Sequence, residues 1–461
     1  MRGARLGRRG GAAVIGWLLA GCSPDRLSDE ELRDPAACEG CHPAQFEQWS
    51  GSMHAYAAED PVFLAMNARG QRETNGELGD FCVKCHAPAA VLLGETADGT
   101  DLDSVEPALK GVTCWWCHQV TDVQGDHDNP LVIAQDRVMR GPFSDPTETR
   151  AHDSEGSPHH ARDDARSAAL CGSCHDIVNP LGTHVEATFA EWGGSVFAKP
   201  GFGLTCSACH MTGSDGVAAE VEGVPLRRVA DHSMPGIDVA LTSFPGRDRQ
   251  RALVQELLDD SVAAYLCVGP AGDPTLAVAT LENVAAGHRF PSGATSDRRV
   301  WVEVTAYQGD TVLFHTGAPD PRIAEVDDPD LWRIWSTLTG TSGEPVHMFW
   351  EAAAIDSAGL LPVQATLDVA DPAWVQTHVS TNYLVRGGTP DRITMAVHAQ
   401  PFGAEILDEL VATGDLDPAV IAEVPTFTLA PTVLEWTPAV PINSGSLACV
   451  PQPPPVVTPA Q

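Results

Sequence analysis

Gly111-Val-Thr-Cys-Trp-Trp-Cys-His118 carries the pattern that decides the fold: two cysteines separated by two residues, with a histidine directly after the second. The C-x-x-C-H pattern at Cys114–His118 recurs at Cys38–His42, Cys82–His86, Cys171–His175 and Cys206–His210. Each copy has the spacing for covalent attachment of a c-type haem, with two thiols for the vinyl groups and a histidine for the iron. Random placement of 13 cysteines and 17 histidines in 461 residues would give roughly 0.01 such patterns. One copy could equally be a redox dithiol or half a zinc site. Five copies point to five haems c, bound through Cys38, Cys41, Cys82, Cys85, Cys114, Cys117, Cys171, Cys174, Cys206 and Cys209.

Consecutive patterns begin 44, 32, 57 and 35 residues apart. That is too little peptide for separate hydrophobic cores, so the porphyrins are expected to form the core, wrapped by short helices and loops. Two echoes run through this region. Phe46-x-x-Trp49-x-x-Ser52 returns as Phe189-x-x-Trp192-x-x-Ser195, and Gly111-Val-Thr-Cys114 returns as Gly203-Leu-Thr-Cys206. Phe46 to His54 reads as one helix.

Beyond the last pattern the texture changes. Arg247–Tyr265 reads as one amphipathic helix. Alternating segments then follow, among them Thr275–Leu281, Val300–Tyr307 and Arg392–His398, with Gly, Pro and Asp turns between them. These predict a β-sandwich. The fold class is therefore an α-helical and irregular multihaem domain with stacked haems, followed by an all-β, sandwich-like C-terminal domain. The expected boundaries are a signal segment at 1–21, a linker at 22–37, the haem domain at 38–240, a linking helix at 241–266, the β-domain at 267–449 and a Pro-rich disordered tail at 450–461. Cys267 and Cys449 bracket the β-domain, and an oxidising compartment favours their disulfide. Closing so long a loop is worth about 5 kcal/mol on the chain-entropy model.

Arg2, Arg5, Arg8 and Arg9 precede a short apolar run from Ala12 to Ala20, too short to span a bilayer and readable as an export signal. Leu19-Ala-Gly-Cys22 resembles a lipoprotein processing site, with Cys22 as the lipid anchor; an ordinary signal with an incidental cysteine is the alternative. Ser23 then favours the outer membrane, by resemblance to enterobacterial sorting. The chain is predicted to be an exported lipoprotein, periplasmic or at the cell surface. It carries 62 acidic and 28 basic residues, and removal of residues 1–21 would leave a balance of −38. Such acidity excludes nucleic-acid binding and favours redox partners with basic docking surfaces.

His42, His86, His118, His175 and His210 are the proximal iron ligands. A second strong ligand makes a carrier, and an open position makes a catalyst. The distal candidates are His54, close behind Ser52; His152, His159 and His160 in the long gap between the third and fourth patterns; His232 in A-D-H-S-M-P-G; and His288 in G-H-R-F-P-S-G. Counting one of the His159–His160 pair, they suffice for all five irons.

Phe46-x-x-Trp-Ser-x-Ser-x-His-Ala55, G-V-T-C-x-x-C-H, C-G-S-C-H behind S-P-H-H, G-L-T-C-x-x-C-H-M and G-H-R-F-P-S-G together resemble the cytochrome c-554 and hydroxylamine-oxidoreductase superfamily over about residues 36–300. The resemblance implies closely stacked, mostly bis-histidine haems. It also implies a choice between electron carriers and enzymes acting on hydroxylamine, nitrite or related oxyanions. This chain departs from the enzymes: all five patterns end in histidine where pentahaem nitrite reductases have one lysine, and Tyr56 is the single tyrosine of the haem region. The expected role is extracytoplasmic electron transfer, with no catalytic residue assigned. The alternatives are an oxidoreductase with one open haem acting on a nitrogen or sulfur oxyanion, and a haem wire whose β-domain docks a partner.

Overall fold

The computed structural model describes residues 25–319 and 328–451. The expected signal segment, Cys22 and the tail from residue 452 lie outside the described residues. Among the described residues no helix is long and apolar enough to cross a membrane.

The N-terminal region is made of short helices and irregular chain. Its longest helix before residue 165, Pro61–Glu73, starts where the Asp60 side chain accepts from Val62 N and Pro61 takes the first turn, a position at which proline forfeits no hydrogen bond. The expected single helix from Phe46 to His54 is two. Pro43–Ser50 ends at Gly51, and Met53–Tyr56 restarts with the Ser52 side chain accepting from Ala55 N. A serine that caps a new helix competes with continuation of the old one. Four two-stranded ribbons also occur where only helix and loop were expected. They pair Val120–Val123 with Leu131–Ile133, Val138–Gly141 with Asp153–Gly156, Asp176–Val178 with His184–Ala187, and Ser214–Val217 with Leu226–Val229.

The C-terminal region contains two main antiparallel sheets and a small third one of Pro345–Val346, Thr337–Thr339 and Ala354–Asp356. One main sheet runs in the order His378–Val385, Thr275–Asn283, Val262–Val268, Ala448–Cys449; the other runs Thr311–Thr316, Arg299–Gln308, Arg392–Gln400, Phe427–Thr428. Leu266, Ala279 and Leu281 from the first and Val302, Val304, Met395 and Val397 from the second belong to one buried cluster. The period-2 patterns put these side chains on inward faces. Cys267 and Cys449 face each other in register across neighbouring strands and are joined as a disulfide.

The linking helix differs from its expected extent. It spans Arg247–Ser261, and Val262–Val268 is a strand whose residues alternate between buried and half-buried. Val262, Ala264, Leu266 and Val268 alternate in the sequence, and pairing with Thr275–Asn283 overrides the weak helical pattern of A-A-Y-L. Nor is the helix a spacer, because Val254 and Leu258 sit in the same core as both sheets.

The two regions are packed together. Val62 and Ala65 of Pro61–Glu73 join the β-region core. Arg69 pairs with Glu409 at 2.7 Å, Arg72 grips Asp415 at 2.6 and 2.7 Å, and Asn179 Nδ2 donates to the carbonyls of Phe349 and Ala352 at 2.7 Å.

Candidate functional site

Each C-x-x-C-H pattern lies on or beside a helical turn. Cys114–His118 and Cys206–His210 are single-turn helices, Cys171–His175 ends the helix from Ala165, Val83–His86 forms another turn, and Cys38 and His42 flank the step between two helices. Helical geometry sets residues i, i+3 and i+4 on one face, so two cysteines and an imidazole converge on one side of the turn. Nine of these ten cysteines are free thiols, whereas Cys41, expected to hold haem, is disulfide-bonded in this structure.

The two sequence echoes are parts of one device. Trp49 Nε1 donates to Val112 O at 2.8 Å, and Trp192 Nε1 donates to Leu204 O at 2.9 Å. In both places the F-x-x-W helix clamps the lead-in to a C-x-x-C-H turn. Gly111 has φ +72, and a side chain there would lie 2.5 Å from His54 O. Only glycine lets this lead-in pass against the turn that carries His54, and Val112 N then donates to His54 O at 2.8 Å.

The histidines are oriented from behind. Nδ1 donates to the carbonyl of Ala218 from His42 (2.6 Å), Ala57 from His86 (3.0 Å), Asp153 from His152 (3.1 Å), Pro235 from His210 (2.7 Å), Ala230 from His232 (3.0 Å), Arg289 from His288 (2.8 Å), and Arg140 from His118. An imidazole held this way keeps its lone pair on Nε2, the arrangement a metal-bound histidine needs. Burial pushes His54, His175 and His288 down to about 4 and His118 to about 3. The rings are therefore neutral and able to bind metal at ordinary pH.

Four pairs of rings face each other. Ring centres are 6.3 Å apart for His42 and His152, 6.2 Å for His54 and His175, 6.5 Å for His118 and His232, and 6.4 Å for His210 and His288. Two imidazoles on opposite sides of one metal, each bonded at about 2.0–2.1 Å, have ring centres roughly 6.3 Å apart. The residues present therefore fit an iron at four of the five places. His160 also faces His118, but at 5.3 Å, and its Nε2 is 2.9 Å from Cys117 O. That is too close for an iron between them, and the nitrogen is already engaged.

The comparisons with known proteins agree with this chemistry. The profile of the family described as Cytochrome c554 and c-prime matches residues 37–119. Cytochrome c-554 of Nitrosomonas europaea is 30% identical over 125 residues, covering 25% of this chain and 49% of that protein, so the chain spans about half the length of this curated relative. A crystal structure of a penta-heme cytochrome c552 from Thermochromatium tepidum aligns with a TM-score of 0.62 at 21% identity, over 89% of this chain and 99% of that one. Residues 37–119 are thus similar to the cytochrome c554 family, and the fold is similar to that of a penta-heme cytochrome c. The structural match, over 89% of this chain, extends into the β-region.

One of the five motifs breaks the pattern. His86 lies flat against Phe63, with ring centres 3.9 Å apart and planes within 3°, and among the described residues no second histidine ring pairs with it. The distal histidine expected for every motif has no ring pair at this one. Phe63 packs with Ala58, Val83, Ala87, Ala90, Leu102 and Val105 in one apolar cluster. His159 is buried with Nδ1 unpartnered and belongs to none of the four pairs.

Thiols acting on one another give the neighbourhood of the motifs. Cys38 and Cys114, Cys85 and Cys174, and Cys171 and Cys206 are close enough to shift each other's titration. The first motif thus adjoins the third, and the fourth adjoins both the second and the fifth. Burial pushes Cys82 and Cys117 up to about 12, while the neighbouring thiols hold Cys38, Cys174 and Cys206 below the ordinary value.

Sequence reading missed the polar groups beside the second and fourth motifs. Arg298 Nη1 and Nη2 donate to Asp238 Oδ1 and Oδ2 at 2.6 and 2.7 Å, and Asp238 acts electrostatically on both His86 and His175. Asp60, Glu186 and Asp297 surround the same guanidinium. The run S-D-R-R at 296–299, with all four residues buried, was the available signal.

Proposed function

We propose that the chain is an exported pentahaem cytochrome c that transfers electrons between a membrane-side donor and an acceptor outside the cytoplasm. In this reading ten cysteines hold five haems by thioether bonds, and His42, His86, His118, His175 and His210 are the proximal ligands. His152 is distal to the first motif's iron, His232 to the third, His54 to the fourth and His288 to the fifth. The observation that carries it is the set of four histidine pairs at 6.2–6.5 Å. The haems supply reversible one-electron chemistry, while the protein sets ligation and surroundings. Motif adjacency through Cys38–Cys114, Cys85–Cys174 and Cys171–Cys206 supports closely stacked haems branching at the fourth. Residues 1–21 act as the export signal, Cys22 as the lipid anchor, and the acidic surface meets basic partners.

The second reading, an oxidoreductase acting on a nitrogen or sulfur oxyanion, gains from one observation: the second motif has no facing histidine, which leaves its iron open to a small ligand. It loses from another. Tyr56, the single tyrosine of this region, spends its hydroxyl on Thr242 Oγ1 at 2.6 Å, so it is not poised for a haem crosslink.

Mass spectrometry of the matured protein should show five haem masses retained after denaturation. Paramagnetic resonance of the oxidised protein should show four low-spin irons and one high-spin iron that binds carbon monoxide when reduced. Fewer than five haems would overturn the pentahaem reading. Five low-spin irons would eliminate the open position and with it the enzyme alternative, whereas rapid turnover of nitrite or hydroxylamine at the high-spin iron would overturn the carrier reading in favour of the oxidoreductase.

A further inference from the structure

His152 is carried at the end of an irregular stretch of chain. The strand Val138–Gly141 ends well before it, and Asp153–Gly156 begins directly after it and pairs back in parallel. That second strand holds the ring from one side, with Asp153 O 3.1 Å and Ser154 Oγ 3.2 Å from His152 Nδ1. On the other side, residues 142–152 have one backbone–backbone hydrogen bond among the described residues. It runs from Leu27 N to Ala151 O at 3.1 Å.

The same N-terminal segment also reaches the residue beyond the ring. Arg26 Nη1 and Nη2 donate to Asp153 Oδ1 and Oδ2 at 3.3 and 2.7 Å. Both chain neighbours of His152 are thus tied to two consecutive residues, Arg26 and Leu27. The tie is itself anchored. Arg137 donates to the Asp29 carboxylate and to the Leu27 carbonyl, and Ser28 caps the helix Asp29–Arg33. Leu32 of that helix is buried in one cluster with Trp115 and Trp116 of the third motif, and Leu27 packs against it. A lone exposed ion pair contributes little. Here it closes, together with the backbone bond, a clamp around a single imidazole.

Fixing the backbone of an irregular segment costs conformational entropy for every residue ordered. A ligand on an unfixed segment bears that cost when it binds, and its effective affinity falls with the fraction of time it is in place. We propose that Arg26 and Leu27 are positioning residues: they form an N-terminal strap that holds His152 opposite His42. The ring separation of 6.3 Å, with planes 22° apart, then depends on residues lying outside every C-x-x-C-H pattern. Without the strap, His152 leaves the sixth position of the first motif's iron more often. The proposal rests on the reading of His152 as that iron's distal ligand.

The test uses the reduced holoprotein and carbon monoxide, which takes the sixth position only when His152 leaves it. The iron concerned is identified by His152→Ala, in which it should turn high-spin and bind carbon monoxide at once. Leu27→Pro deletes the N–H that bonds Ala151 and keeps an apolar side chain. It should speed carbon monoxide uptake at that iron about fivefold, the factor that one lost hydrogen bond makes. Arg26→Ala should speed it by less, and Arg26→Lys should restore much of the wild-type rate. Arg392→Ala, which breaks an ion pair with Glu435 in the β-region, should change nothing, and uptake at the other irons should stay as in the wild type throughout. Wild-type rates in both Leu27→Pro and Arg26→Ala would overturn the strap and leave the ligand reading standing. Where Leu27→Pro does not mature, Arg26→Ala decides alone, because Arg26 lies on the surface. Unaltered spectra in His152→Ala would refute the ligand reading, and the strap falls with it.

Discussion

In the N-terminal region six histidines give Nδ1 to backbone carbonyls and keep Nε2 uncommitted: His42, His86, His118, His152, His210 and His232. In the β-region His347 pairs with Glu409 and His378 with Glu282, while His315 and His398 share Glu303. His398 is bonded at both nitrogens, to Glu303 Oε2 and Thr428 Oγ1, each at 3.0 Å. A carbonyl behind the ring prepares an imidazole to bind metal; a carboxylate in front of it uses the imidazole up. His288 sits on the β-side of the boundary yet follows the N-terminal rule, donating Nδ1 to Arg289 O and facing His210. One residue type therefore serves two purposes, and the partner of each nitrogen separates them better than position in the chain does.

The strongest challenge to this contrast sets His288→Ala against His398→Ala. The first should convert one low-spin haem to high spin and open it to carbon monoxide. The second should leave every haem spectrum unchanged and lower unfolding stability by about 1–3 kcal/mol, the cost of stranding a buried partner. Spectral change from His398→Ala would erase the distinction. The double variant Cys267→Ser, Cys449→Ser should destabilise the β-region by about 5 kcal/mol on the chain-entropy model, read as a lower urea midpoint with the low-spin count intact below it.

Gly111→Ala is a smaller perturbation on the other side of the contrast. Positive φ and contact with His54 O should cost about 1–3 kcal/mol and, if His54 is the distal ligand proposed above, broaden the signal of that haem without touching the β-region midpoint. The smallest effect is on pH dependence. Asp60, Glu186 and Asp297 have raised native values of about 7, 7 and 6, whereas unfolded carboxyls titrate near 4. Between about pH 4 and 7 the native state holds more protons than the unfolded chain, so this cluster's contribution falls as pH rises. Urea midpoints at pH 5 and 8 should show a drop that Glu186→Gln reduces.

Much of this arrangement was legible in the chain. The C-x-x-C-H turns, the strands around Thr275, Val300 and Arg392, the Cys267–Cys449 bridge and four histidines whose rings lie opposite motif histidines could be read directly, because each depends on local spacing or on one residue's chemistry. Pairing could not. His42 meets His152 and His54 meets His175 across more than a hundred residues, and no local periodicity encodes such contacts. The end of the helix at Ser261 was hidden because A-A-Y-L suits either conformation until a neighbouring strand is available. Glu186 was hidden because a single acid between Val185 and Ala187 reads as the solvent face of a strand.

The tryptophan clamps carry a historical consequence. Trp49 on Val112 and Trp192 on Leu204 make the same bond to the same place in two lead-ins, and each anchors a main-chain carbonyl, which every residue possesses. A module tied this way can be copied without its new neighbour having to acquire a matching side chain. Arrays of this kind can lengthen by whole units, each bringing its own tether, and the two clamps are one such tether used twice.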